Sequence, residues 1–253
     1  MKNDSSRRDF IRKSVSAVTG TILIPSIIPA SALGKNGFVA ASDRIVMATI
    51  GTGAQGMSDM KDFMKLPQAQ FVAVCDLDKK RLEKGAETVN LKNGNKDCRQ
   101  YKDYRELLEK EKLDAVSIAL PDHWHGIIYT AAVNKKLNVY GEKPICRTIK
   151  DGQIIVAAVK KNNIIWQTGS WQRSQAHFRR GAELAINGRV GKISKIVVGL
   201  PDGGKTIGAP PIKEVPPELN WEMWLGPAPK VPYRGVSHWD WRWILDYSGG
   251  QLT

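Results

Sequence analysis

Ile45-Val46-Met47-Ala48-Thr49-Ile50-Gly51-Thr52-Gly53-Ala54-Gln55-Gly56 is the stretch on which the rest of this 253-residue chain turns. Its first half is apolar and β-compatible, as a strand buried on both faces of a parallel sheet must be. Its second half fits G-x-G-x-x-G. In that pattern Gly51 permits the tight turn, Gly53 lets a diphosphate approach the backbone, and Gly56 lets the next helix sit close to the sheet. The helix begins inside the motif, so the amides around Thr52, Ala54 and Gln55 belong to its electropositive end, which favours an anion. A second apolar run, Phe71-Val72-Ala73-Val74-Cys75, ends at Asp76, twenty residues past Gly56, where a carboxylate can accept both hydroxyls of an adenosine ribose. Glycine letters alone occur by chance in surface loops. Strand, turn, helix, second strand and acid at this spacing predict a dinucleotide-binding unit.

The pattern continues outward. Residues 43–168 alternate strand and helix signals: a helix near 104–110, a strand over 114–120, a helix over about 123–135, a strand over 137–140, a helix over 148–161 and a strand over 164–168. Short links between them predict an α/β fold, a doubly wound parallel Rossmann sheet with right-handed crossovers. Ligands of such sheets lie beyond the carboxyl ends of the strands. After Leu120 comes Pro121-Asp122-His123-Trp124-His125. Pro121 ends the strand, Asp122 suits a helix N-cap, and His125 then falls in the first helical turn. A histidine there is commonly a surface residue, but two histidines in three positions at a strand's carboxyl end also suit a site contact. After the next strand comes Gly141-Glu142-Lys143-Pro144. Read locally, Glu142 and Lys143 are ordinary loop charges. At the mouth of a cofactor crevice, a lysine near a cationic ring and shielded from water would favour its neutral form and could exchange a proton with a substrate hydroxyl.

Ahead of this region, Ser6-Arg7-Arg8-Asp9-Phe10-Ile11 precedes a mostly apolar stretch over 15–28, and Ala30-Ser31-Ala32 supplies small residues suited to cleavage. That is the anatomy of a twin-arginine signal peptide over 1–32, followed by a linker over 33–42. The stretch is short and broken by Pro25, so a stable membrane span is not expected. The reading predicts export through the Tat translocase to a periplasmic or secreted location, with any cofactor loaded before export and then retained. Taking five basic residues (Lys2, Arg7, Arg8, Arg12, Lys13) and two acids (Asp4, Asp9) from the totals of 38 and 25 leaves 33 against 23, a net charge of +10. The cations are scattered doublets such as Lys79-Lys80 and Arg179-Arg180, with no recognition motif, so nucleic acid is not an expected partner. Cys75, Cys98 and Cys146 have neither the count of a disulfide scaffold nor the spacing of a zinc site, and no metal is expected.

The glycine turn, Asp76, the segment 121–125 and above all Glu142-Lys143-Pro144 resemble the glucose-fructose oxidoreductase and inositol dehydrogenase family, Gfo/Idh/MocA, over essentially all of residues 43–200. The resemblance implies an NAD-dependent oxidoreductase acting on CH–OH groups of a sugar, polyol or glycoside. It implies that Lys143 is catalytic with Glu142 beside it, that Leu120, Pro121 and His125 line the cofactor site, and that Arg173 lies near the nicotinamide. The family often has Asn after the proline where this chain has Asp122, and no contact is carried over there. Asp76 favours NAD, whereas Lys79, Lys80 and Arg81 could hold the 2′-phosphate of NADP.

Residues 43–168 are thus expected to form the nucleotide domain, and 169–253 part of a second, α+β domain for substrate binding and homo-oligomerisation. A strand over 192–200 would start its largely antiparallel sheet. The segment Leu219 to Pro227 resembles the W-x-x-W-L-G-P loop of secreted sugar-active members. In His238-Trp239-Asp240-Trp241-Arg242-Trp243, alternation would put three indoles on one strand face, where they pack or stack on a sugar. Trp171, Arg242 and Tyr247 are the substrate-contact candidates beside Lys143. The family usually continues with an Asp-containing turn and a histidine paired with the lysine, so this chain is expected to be a piece of a longer protein. Three readings stand: hydride transfer to or from nicotinamide, redox-neutral glycoside cleavage with a retained NAD, and a non-catalytic nucleotide- or carbohydrate-binding fragment.

Overall fold

The computed structural model describes residues 33–34, 39–199, 208–235 and 240–250. The signal segment 1–32, His238 and Trp239 lie outside the described residues. Strands β1 (Ile45–Ile50), β2 (Ala69–Cys75), β3 (Arg99–Tyr101), β4 (Ala115–Ile118), β5 (Asn138–Glu142) and β6 (Trp166–Gly169) form one sheet in the order β3-β2-β1-β4-β5-β6. Every pairing is parallel. The order reverses direction between β1 and β4, which opens a crevice there at the carboxyl ends of the strands.

Apolar side chains on the two sheet faces bury two helical layers. On one face Met47, Phe71 and Val74 pack against Met57 and Met60 of α1 (Ala54–Phe63) and Leu82, Ala86 and Val89 of α2 (Lys79–Asn93). On the other, Ala48, Ile50, Val116 and Ile118 meet α3 (Tyr104–Lys110), α4 (His125–Asn134) and α5 (Ile149–Asn162). The caps follow from the sequence. Asp78 accepts the amides of Lys80 and Arg81 at 2.9 and 3.1 Å, and Gly94, at φ +67°, closes the same helix in a left-handed turn.

Several expectations are corrected. The edge strand β3 carries no apolar run, and its exposed Arg99 and Gln100 hid it from the sequence pattern. The helix placed over 123–135 is a 3-10 turn, Asp122–Trp124, followed by α4. Asp122 does not cap it; its buried carboxylate accepts the Ser248 hydroxyl at 2.6 Å. Residues 192–199 form no strand, and Ile193, Ile196, Val197 and Val198 stay exposed, since no described segment offers a ladder to pair with. Asp240–Trp243 is a 3-10 helix, so Trp241 and Trp243 do not share the face that strand alternation would give them.

Beyond β6, helix α6 (Ala176–Ile186) buries none of its residues. The segment from 219 onward is anchored differently. Leu219, Trp221, Trp224, Leu225, Tyr233 and Tyr247 form a third buried cluster, with Leu77 of the nucleotide domain packed against it. Trp221 and Trp224, on the short helix α7 (Trp221–Leu225), stack at 4.8 Å. The resemblance to W-x-x-W-L-G-P therefore marks a packing unit built from indoles.

Candidate active site

A cavity of about 480 Å³ lies over the carboxyl ends of β1, β2, β4 and β5. Its floor is the glycine turn. Gly51 has φ +89°, and a Cβ there would overlap the Ala119 carbonyl; one on Gly56 would overlap the Gly51 carbonyl. The turn is wound as tightly as bare backbone permits, which is why both positions must be glycine. At Gly53 a Cβ would instead come within 3.0 Å of the Arg81 guanidinium, filling the space over the start of α1. No side chain caps α1, so its first amides remain for an anionic ligand.

Asp76 stands at the end of β2. One carboxylate oxygen accepts the Thr52 amide at 2.7 Å and the Thr52 hydroxyl at 3.1 Å, and the other accepts the Asp78 amide at 2.9 Å. Burial raises its pKa, and those amides and Arg81 pull it back down. Three of its four lone-pair sites are thus filled, and the fourth, on Oδ1, is left for a ribose hydroxyl. Gly51, Gly53, Ala54, Gln55, Gly56, Asp76, Arg81, Leu120 and Pro121 all line the cavity, whereas Thr52 lies behind it, holding Asp76 in place. These features fit a nicotinamide dinucleotide: bare backbone at the diphosphate, free helix amides, and a held carboxylate for the ribose.

At the far side of the crevice Glu142 and Lys143 line the same cavity. The β5 strand runs on to Glu142 and so presents Tyr140 and Glu142 on one face. Opposite them α1 presents Asp59 and Phe63, four residues apart, with Phe63 set edge-on to Tyr140 at 5.1 Å. Burial pushes the Glu142 carboxyl up to about 7, and the nearby Asp59 charge adds to it. Burial likewise carries Asp59 to about 6, against a hydrogen bond from Gln55 at 2.8 Å. Among the described residues, Glu142 Oε1 and Asp59 Oδ2 are buried without a partner. The Lys143 amide reaches Glu142 Oε2 at 3.2 Å, and the Lys143 side chain is exposed, so the described residues do not supply the shielding from water expected for it.

Other expected contacts fall elsewhere. His125 is fully buried and does not line the cavity; its ring nitrogens approach the Pro144 carbonyl at 2.5 Å and the Leu120 carbonyl at 2.9 Å, tying two site loops together. Burial lowers its pKa. Arg173 is exposed and outside the cavity lining. Tyr247 is buried in the third cluster, edge-on to Trp224 at 4.9 Å, and is a packing residue. Trp171 and Arg242 do line the crevice. Sequence reading missed Asp59, Tyr104, Leu219 and Met223. Asp59 was legible as a polar residue on the buried face of α1, whereas Leu219 and Met223 reach the crevice from 143 and 147 residues past Asp76 and left no local signal.

Residues 45–170 match the Gfo/Idh/MocA oxidoreductase family over its NAD-binding Rossmann fold, and 203–253 match that family's C-terminal alpha/beta domain. The chain belongs to the Gfo/Idh/MocA family. Among curated relatives, it is 27% identical over 146 residues to a myo-inositol 2-dehydrogenase of Thermotoga maritima, covering 58% of this chain and 42% of that protein. A glycosyl hydrolase family 109 protein of Shewanella baltica is 23% identical over 186 residues, covering 67% of this chain and 40% of the relative. Among solved structures, myo-inositol 2-dehydrogenase from Lactobacillus plantarum aligns with TM-score 0.54 at 28% identity, over 59% of this chain and 43% of that one. The chain thus spans about two-fifths of the length of these relatives. Between the glycine turn and the Glu-Lys-Pro segment, the buried Asp59 of α1 faces Glu142.

Proposed function

We propose that the whole protein is an exported NAD-dependent oxidoreductase that transfers hydride between a CH–OH group of a sugar, polyol or glycoside and nicotinamide. The observation that carries this reading is the convergence of the glycine turn, Asp76 and Glu142-Lys143 on one crevice. When bound, the nicotinamide ring supplies the hydride acceptor or donor. The chain's own residues do the rest. The amides at the start of α1 and the Gly53 backbone hold the diphosphate, and Asp76 holds the ribose, which favours NAD over NADP. The Lys143 amine takes the hydroxyl proton as the C–H bond is oxidised and returns it in the reverse direction. Glu142, with a pKa near neutrality, is suited to pass that proton on. Trp171 and Arg242 offer a stacking face and a hydrogen-bond donor for the substrate.

The test is Lys143→Ala in the intact protein, assayed for NADH formation across a panel of inositols, sugars and glycosides. A fall of about 10²-fold or more in turnover, with dinucleotide binding kept, is expected for loss of a general acid–base. Unchanged turnover removes Lys143 from the mechanism.

A second reading is supported by the likeness to a glycosyl hydrolase family 109 protein. A retained dinucleotide, held by the α1 amides and Asp76, would there supply reversible hydride acceptance at a sugar carbon, so that a glycoside is cleaved by elimination and addition of water with no net redox change. Release of aglycone from a glycoside without added NAD supports it; NADH accumulation with no release rejects it. Export to the periplasm and homo-oligomerisation belong to the same proposal, tested by cell fractionation of the native protein and by its mass in solution.

A further inference from the structure

The segment Glu218 to Gly226 is pinned at both ends to loops of the nucleotide domain. At one end the Lys79 amide donates to the Glu218 carbonyl at 2.9 Å, the Asn220 amide donates to the Leu77 carbonyl at 3.2 Å, and Asp78 and Leu219 form an antiparallel bridge. Lys80 and Glu218 add an ion pair. These bonds grip the residues that directly follow Asp76. At the other end the Trp224 carbonyl accepts the Trp124 indole N–H at 2.9 Å and lies 3.0 Å from His123 Nε2. Burial lowers the His123 pKa to about 4, so the ring is neutral and its one N–H donates here. Gly226, at φ +50°, lets the chain pass Trp124 where a Cβ would overlap the indole.

Between these anchors the side chains divide. Trp221 and Leu225 turn only into the third cluster, Leu219 and Trp224 belong to that cluster and also line the crevice of Gly53, Asp76 and Arg81, and Met223 lines the crevice only. Met223 is half-buried and absent from the cluster, so core packing does not account for its place. A ribose held at Asp76 has this segment against it.

We propose that Glu218–Gly226 is a clamp that walls the adenosine end of the crevice and slows release of the dinucleotide. The inference rests on the proposed dinucleotide reading and extends it to residues outside the Rossmann domain. A ligand with its adenosine behind Leu219 and Met223 leaves only after losing those apolar contacts or after the segment parts from Leu77–Lys79. That ties the clamp to dissociation more than to association. It also gives a physical route to an exported enzyme keeping its cofactor.

The test loads the intact protein with NADH and follows the decay of its fluorescence after a chase with excess NAD. Met223→Ala is expected to release NADH about tenfold faster with little change in association. Lys80→Ala, which removes the ion pair without touching the crevice, is expected to release it severalfold faster. Leu219→Ala adds a second wall residue, and should it fail to fold, Met223→Ala decides. Unchanged release in Met223→Ala overturns the clamp while leaving the dinucleotide reading intact. If the unaltered protein binds neither NADH nor NAD, the dinucleotide reading itself falls and the clamp with it.

Discussion

Asp59→Asn should make the protein more stable, and only above acidic pH. In the folded chain this carboxyl titrates at about 6 against an ordinary 3.8, chiefly because burial penalises the charge. Between those values the folded state holds a proton that the unfolded chain has released, so stability falls as pH rises through that window and stays lower above it. A displacement of that size corresponds to about 3 kcal/mol. Solvent reaching the crevice screens part of it, leaving ~1–3 kcal/mol. The amide of the variant keeps an acceptor for Gln55 and carries no charge. For a domain of this size that gain is a rise in melting temperature of roughly 3–10 °C at about pH 8, shrinking to nothing below about pH 3. Thermal melts of the unaltered protein and the variant, at constant ionic strength across that range, measure it. A difference that does not vary with pH, or a variant less stable at pH 8, refutes the reasoning, because the carboxylate would then have a stabilising partner. Removing the Asp59 charge should also lower the Glu142 pKa, shifting the acid limb of the pH–rate profile downward.

Thr52→Val keeps the main-chain bond to Asp76 and loses the one at 3.1 Å; dinucleotide affinity measured by calorimetry should weaken about fivefold, equivalent to ~1 kcal/mol. His125→Phe removes the single N–H that the neutral ring can give to one of the Leu120 and Pro144 carbonyls, and should cost about 1–2 kcal/mol in urea denaturation while loosening the site loops. Gly226→Ala places a methyl on the Trp124 indole at a positive φ, and should cost about 2 kcal/mol or more in the same assay.

The nucleotide fold was legible because its signals are local. Five apolar residues and a threonine followed at once by a glycine turn mean a doubly buried strand and a tight connection. Asp76 could be found by counting from Gly56, and Lys143 from its motif. Where the sequence misled, the local signal was present but its context was not. Alternating indoles over 238–243 suggested a strand, yet Asp240–Trp243 is a 3-10 helix. A β-rich run over 192–199 forms no strand, because a ladder needs a neighbour that local sequence does not specify.

The order of chemistry-bearing residues along the chain, and the tight turn they begin from, was determined by the sequence itself, since backbone sterics and apolar periodicity act between near neighbours. Tertiary structure decided which of those residues meet. It turned His125 inward onto two carbonyls, left Arg173 outside, set Asp59 against Glu142, and brought Leu219 and Met223 beside the loop that follows Asp76. Those pairings depend on burial and on contacts between distant segments, whose energies are set by the whole packed arrangement and not by any stretch read alone.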